Sequence, residues 1–212
     1  MNMKTISFLL AMSVTVFAYA SDKFTETMQK YISQVYAAQT IEEFQPVINS
    51  FERIAQAEPN RWEPLYYSAY GNLMMAVRQQ EAAKKDQYLD LALAAVERAK
   101  KLQPAESEVI SLEGFVHMIR VAVDPATRGQ QYSGLAMQTF GKAVQLNPNN
   151  PRALALLAQM QYGMAQFFGA STAEACGTAR KALQVFESDV PKHPLAPMWG
   201  EDMVQDFLQN CK

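Results

Sequence analysis

Three prolines, Pro59, Pro104 and Pro148, recur 45 and 44 residues apart, and each closes a similar stretch: Arg53 to Pro59, Arg98 to Pro104 and Lys142 to Pro148. Self-similarity at such a period marks an array in which each unit buries its apolar face against its neighbours. An array of this kind is one quasi-linear body. The 212 residues therefore read as an export signal over 1–20 and a single helical repeat domain over 21–212.

The export reading rests on Lys4, an apolar run from Ile6 to Ala18, and the small-x-small site Ala18-Tyr19-Ala20. The run is too short to span a bilayer, and no second one follows. Cleavage after Ala20 predicts a periplasmic or secreted chain that begins at Ser21. With Lys4 removed, 18 basic side chains face 21 acidic ones, a net charge of about −3. That balance, without long Lys or Arg runs, argues against nucleic acid or an anionic membrane as partner.

Cys176 and Cys211 are the only cysteines. In an oxidising compartment thiols tend to pair, and a bridge here would close a loop of about 35 residues, worth roughly 3 to 4 kcal/mol in the chain-entropy model. The alternative is two unpaired buried thiols.

Apolar residues recur at spacings of three and four almost throughout, which predicts helices. Phe44, Val47, Ile48, Phe51, Ile54 and Ala55 define one amphipathic face. Thr40 with Glu43, Asn60 with Glu63 and Ser171 with Glu174 read as capping boxes; Asn150 before Pro151 reads as a helix start and Gly169 as a stop. Pro46 is the flaw in its helix, since it removes a backbone donor. Helices are expected near 23–38, 41–57, 62–79, 84–102, 107–122, 130–146, 151–168, 172–188 and 199–210. Paired two by two, they give an all-α antiparallel hairpin solenoid with a C-terminal capping helix.

Ala92, Ala99 and Pro104 in one unit, and Ala136, Phe140, Ala143 and Pro148 in the next, with Gly114 between, resemble the tetratricopeptide repeat (TPR) pattern. The period is about ten residues longer than the family's 34, so a first helix or a hairpin loop is extended. Val123 to Gly129, Asn147 to Ala153, Phe167 to Gly169 and Pro194 to Gly200 are similar to segments of exported bacterial repeat proteins without an assigned activity. The TPR resemblance implies a concave face built from first helices. It implies a groove lined by Tyr66, Tyr70, Phe115, Met118, Arg152, Gln159 and Tyr162.

His117 and His193 are 76 residues apart, with no metal-ligand spacing to a second His, Cys or acid. Neither a Gly-x-Ser-x-Gly elbow nor a phosphate-cradling glycine loop occurs, so no catalysis, metal or cofactor is expected. Tyrosine and arginine on the first-helix face favour a non-catalytic scaffold that binds a protein or peptide. The alternative is a small ligand or glycan in the aromatic-rich groove. Asp124 to Tyr132 reads as a long turn in which Asp124 and Arg128 either shape the loop or form a lip over the groove.

Overall fold

A computed structural model describes residues 23–188 and 190–211; the expected export signal and cleavage site lie outside the described residues. Among the described residues every regular element is helical: α1 (23–37), α2 (Ile41–Ala57), α3 (Glu63–Arg78), α4 (Ala82–Leu102), α5 (Ser107–Val123), α6 (Pro125–Leu146), α7 (Pro151–Phe168), α8 (Ala173–Ser188) and α9 (Glu201–Leu208). Consecutive helices pack as antiparallel neighbours, while α3 touches α5 and α5 touches α7. The first helices α3, α5 and α7 thus form an inner row and α4, α6 and α8 an outer row. Helix α9 closes the array against α7 and α8.

Small residues set the spacing of the rows. Ala92, Ala99, Ala136 and Ala143 are completely buried. Gly114 faces the Phe140 ring so closely that an added Cβ would lie 2.5 Å from Phe140 Cε1. A methyl there would have to push an aromatic ring out of a packed core, so the α5–α6 hairpin can close at this distance only around glycine.

Helix starts follow local chemistry. The Thr40 hydroxyl accepts from the Glu43 N–H and the Glu43 carboxylate accepts from the Thr40 N–H, a complete capping box. The Asn150 side chain accepts from Ala153 N–H at 2.9 Å and donates to Ser107 across the next unit. Gly169 ends α7 in a left-handed conformation. The expected Asn60–Glu63 box does not form, because α3 begins one residue after Trp62, which makes no side-chain cap. The Ser171 hydroxyl accepts from Ala173 N–H, and Glu174 instead accepts from the Gln161 amide. Helix α2 runs through Pro46, whose missing donor falls on the exposed face where water can serve the carbonyl one turn back.

The long turn expected over 124–132 is not there. Asp124 caps both the end of α5 and the start of α6, its carboxylate accepting from the Thr127 N–H and hydroxyl. Pro125 follows as the first helical residue, which needs no donor, so the Asp-Pro pair starts a helix rather than a loop. Arg128 then lies one turn into α6. Its guanidinium donates twice to the Asp86 carboxylate on α4, at 2.7 and 2.9 Å. Arg120 donates to Asp86 and Asp90 from α5, so one acid on α4 ties two further helices together. Neither Asp124 nor Arg128 forms a lip.

Candidate functional site: a strap across the concave face

Between α8 and α9 the chain takes no regular structure over residues 190–200 and crosses the inner row of helices. This strap is held by side chains from the first helices. The Tyr67 hydroxyl donates to Leu195 O at 2.9 Å, Met198 N–H donates to the Tyr36 hydroxyl at 3.2 Å, and Arg152 donates to Trp199 O at 3.4 Å. Leu195 is buried in the main core. Trp199 packs on Tyr70 and Phe115 with ring centroids 5.5 and 5.9 Å away, and its indole N–H donates to the Tyr66 hydroxyl.

The strap turns into α9 at Gly200, whose φ of 106° lies in a region that side-chain-bearing residues rarely enter. A Cβ added there would also lie 3.2 Å from Phe186 Cζ and 3.4 Å from Arg152 Cγ. Arg152, on α7, is buried and pairs with Glu108 on α5 at 2.8 Å while its guanidinium lies over Phe186. A buried ion pair of this kind holds its geometry tightly, because breaking it would strand a charge.

Two clefts lie along the strap, one on each stretch of it. One, of about 440 Å³, lies at the N-terminal ends of the first helices and is mostly polar, with Trp62, Glu106, Glu108, Arg152, Lys192 and His193 around it. The other, of about 570 Å³, is lined by Tyr36, Tyr70, Met74, Val77 and Phe115 from the helices. Its opposite wall is Met198, Trp199 and Gly200 of the strap with Glu201, Asp202 and Met203 of α9. Aromatic rings and thioethers make this second cleft apolar and adaptable. Burial raises the hydroxyl pKa of Tyr36, Tyr66, Tyr67 and Tyr70, so these phenols stay protonated and serve as hydrogen-bonding groups.

Of the expected groove residues, Tyr66, Tyr70, Phe115 and Arg152 converge, but on Trp199 rather than on open solvent. Tyr162 lies under α9, its ring against Phe207 and its hydroxyl donating to Asn210 O at 3.4 Å. Met118 and Gln159 are half-buried and line neither cleft. Tyr36, Met198, Trp199 and Met203 are not legible as site residues in the sequence; the only hint is a tryptophan within a proline-rich stretch. His117 stacks on Tyr132 and burial lowers its pKa, while His193 accepts from Leu195 N–H. Among the described residues no group of His, Cys, Asp and Glu is placed to hold a metal ion, and no helix is long and apolar enough to cross a membrane.

Cys176 and Cys211 are joined, with Cα atoms 5.6 Å apart. The bridge fastens the chain beyond α9 to α8. Strap and α9 together therefore form one covalently closed loop.

No protein-family model and no curated protein matches the chain. Among solved structures it is similar to the HusA haemophore from Porphyromonas gingivalis, with a TM-score of 0.80 and 28% identity over 89% of this chain and 92% of that one. A thermophilic TPR protein of Thermus thermophilus aligns over 88% of this chain and 97% of its own, at 14% identity and a TM-score of 0.40, too distant to bear on fold or function.

Proposed function

We propose that this is an exported, non-catalytic binding protein whose ligand is a flat, largely apolar molecule of the tetrapyrrole class, held in the cleft between α1, α3, α5 and the strap. The observation that carries this reading is the cleft itself: Tyr70, Phe115 and Trp199 line it as one packed aromatic group, with thioethers from Met74, Met198 and Met203, around about 570 Å³. Pockets of this size and lining suit small apolar ligands. The similarity over nearly the full length of both chains to a protein described as a haemophore supports the ligand class.

The residues fit such a group by shape and chemistry. Trp199 and the thioethers of Met74, Met198 and Met203 would hold such a group by apolar contact, and the Tyr36 hydroxyl would offer a polar one; Glu201 and Asp202 line the same cleft. Haem, when bound, would supply the iron centre; the chain supplies the apolar seat. The disulfide is in keeping with an oxidising compartment.

Titration with haem, followed by quenching of tryptophan fluorescence, tests the proposal. Saturable binding that Met198→Ala weakens by about fivefold or more is expected, because Met198 is 67% exposed at the mouth and can be trimmed without disturbing the core. Absence of saturable quenching up to about 100 µM haem overturns it.

A second reading, a scaffold for a protein partner, draws on Phe167 and Phe168 at the end of α7. They are 84% and 72% exposed and lie away from both clefts. Exposed adjacent aromatics of this kind are common anchors in protein contacts. Loss of a captured partner on Phe167→Ser with Phe168→Ser, in a protein that keeps its helix content, would favour it.

A further inference from the structure

We propose that the Cys176–Cys211 crosslink is a redox latch on the concave face: while it is intact the strap stays seated across the first helices, and its reduction lets strap and α9 swing away and opens the cleft. The ligand consequence rests on the reading above; the movement of the strap does not.

Apart from the crosslink, the end of the chain is held by one short helix and by side-chain contacts to the strap. Helix α9 has only eight residues, and short helices gain their stability from packing rather than from their own hydrogen bonds. One side chain of it, Val204, is fully buried; Met203, Phe207 and Leu208 are partly buried against α7 and α8, and a long hydrogen bond runs from Tyr162 to Asn210 O. The strap before it has no backbone ladder; Leu195 is buried in the core, and side chains of Tyr67, Tyr36, Arg152 and Tyr66 hold it at Leu195, Met198 and Trp199. Chain ends held by side chains without a backbone ladder open by local unfolding more often than the core does. The crosslink removes that route, because the segment cannot fray from its end while Cys211 is bonded to α8.

Geometry links this end to the cleft. Six of the eleven cleft residues, Met198 through Met203, belong to the latched loop. When it leaves, one wall goes with it, and Tyr66, Tyr70 and Phe115 lose the indole that covers them.

The bond can be reached from one side. Cys176 is buried on α8, whereas Cys211 is half-buried at the chain end. A dithiol reductant attacks Cys211 Sγ with one thiolate, the S–S bond breaks, and Cys176 leaves as a thiolate that takes up a proton. The second thiolate of the reductant then attacks the mixed disulfide and releases the Cys211 thiol, with the reductant left as its own disulfide. Two electrons and two protons pass to the protein.

Amide hydrogen exchange on the full exported chain tests the latch without any ligand. In wild type treated with dithiothreitol, and separately in Cys176→Ser with Cys211→Ser, exchange over 195–208 is expected to rise about tenfold or more while α2 to α5 keep wild-type protection. Unchanged protection over 195–208 in both samples overturns the latch, and so does loss of protection throughout the chain, which would make the bond a global staple. Haem release from the same samples is the second readout: faster dissociation on reduction is expected. If the strap loosens but haem leaves at the oxidised rate, the strap is no wall of the ligand site and the gating is overturned. If the oxidised protein binds no haem, the ligand reading alone fails, and exchange still decides the latch.

Discussion

The indole N–H of Trp199 donates to the hydroxyl of Tyr66 at 2.9 Å, joining residues 133 positions apart in the chain. Tyr66 is fully buried in α3, so this bond brings the strap's one indole into register with the aromatic core.

Tyr66→Phe deletes the acceptor and leaves a partly buried N–H unpaired. A loss of about 1 to 3 kcal/mol is expected. Thermal denaturation measures it, and in a Trp62→Phe background the emission of Trp199, then the only tryptophan, should shift as its surroundings change.

Ala99→Arg and Ala143→Arg should each cost about 2 kcal/mol or more, because a bulky charge enters a contact built around a methyl group with no exposed surface. Gly114→Ala should cost about 1 to 3 kcal/mol, since the new Cβ meets Phe140 at 2.5 Å. Circular dichroism melts decide. Unchanged midpoints for all three would contradict the hairpin packing described above.

Much of this packing is legible in the chain, and for a local reason. Ala99, Ala143 and Gly114 announce themselves as small residues at fixed places in a repeat, and Thr40, Asn150 and Gly169 carry their helix ends in their own side chains or backbone. Asp124–Pro125 misleads because the same dipeptide suits a turn or a helix start, and only the cap on Thr127 separates them. Register alone places Tyr66, Tyr70, Phe115 and Arg152 on the first-helix face, yet it says nothing of their exposure. Whether a first-helix face is open depends on what a distant, irregular segment does. No periodicity encodes a strap held by hydroxyls from α1 and α3.

Stability should fall in two steps on acidification. Burial lowers the pKa of His117 from its ordinary 6.5, so the native state prefers it neutral. A depressed base binds fewer protons folded than unfolded, so its contribution is complete above about pH 6.5 and declines as pH falls through the lowered value. Hydrogen bonding from Arg128 holds Asp86 below its ordinary 3.8. Its contribution is present above about pH 4 and is lost as pH falls through the depressed value. Melting temperature against pH should flatten below neutrality in His117→Gln, and below pH 4 in Asp86→Asn. A His117→Gln profile parallel to wild type would remove the first step.

Asp86 should also be the most sensitive member of its cluster. Asp86→Ala deprives Arg128 of both its hydrogen bonds and leaves the buried Arg120 with only Asp90. Arg128→Ala removes one cation from a site that still holds another. Urea denaturation should therefore rank Asp86→Ala as the more destabilising of the two.

The strap also changes what an outside peptide would face at the first helices. A segment tethered at both ends presents itself at an effective concentration on the order of millimolar, whatever the concentration of the protein. An extended peptide carrying its own Leu and Trp anchors would compete with that standing occupant, and its apparent affinity would fall in proportion. The same peptide loses no such competition in a chain cut before Val190. Recognition on this face is therefore weighted toward molecules that share the cleft with the strap and against those that must replace it.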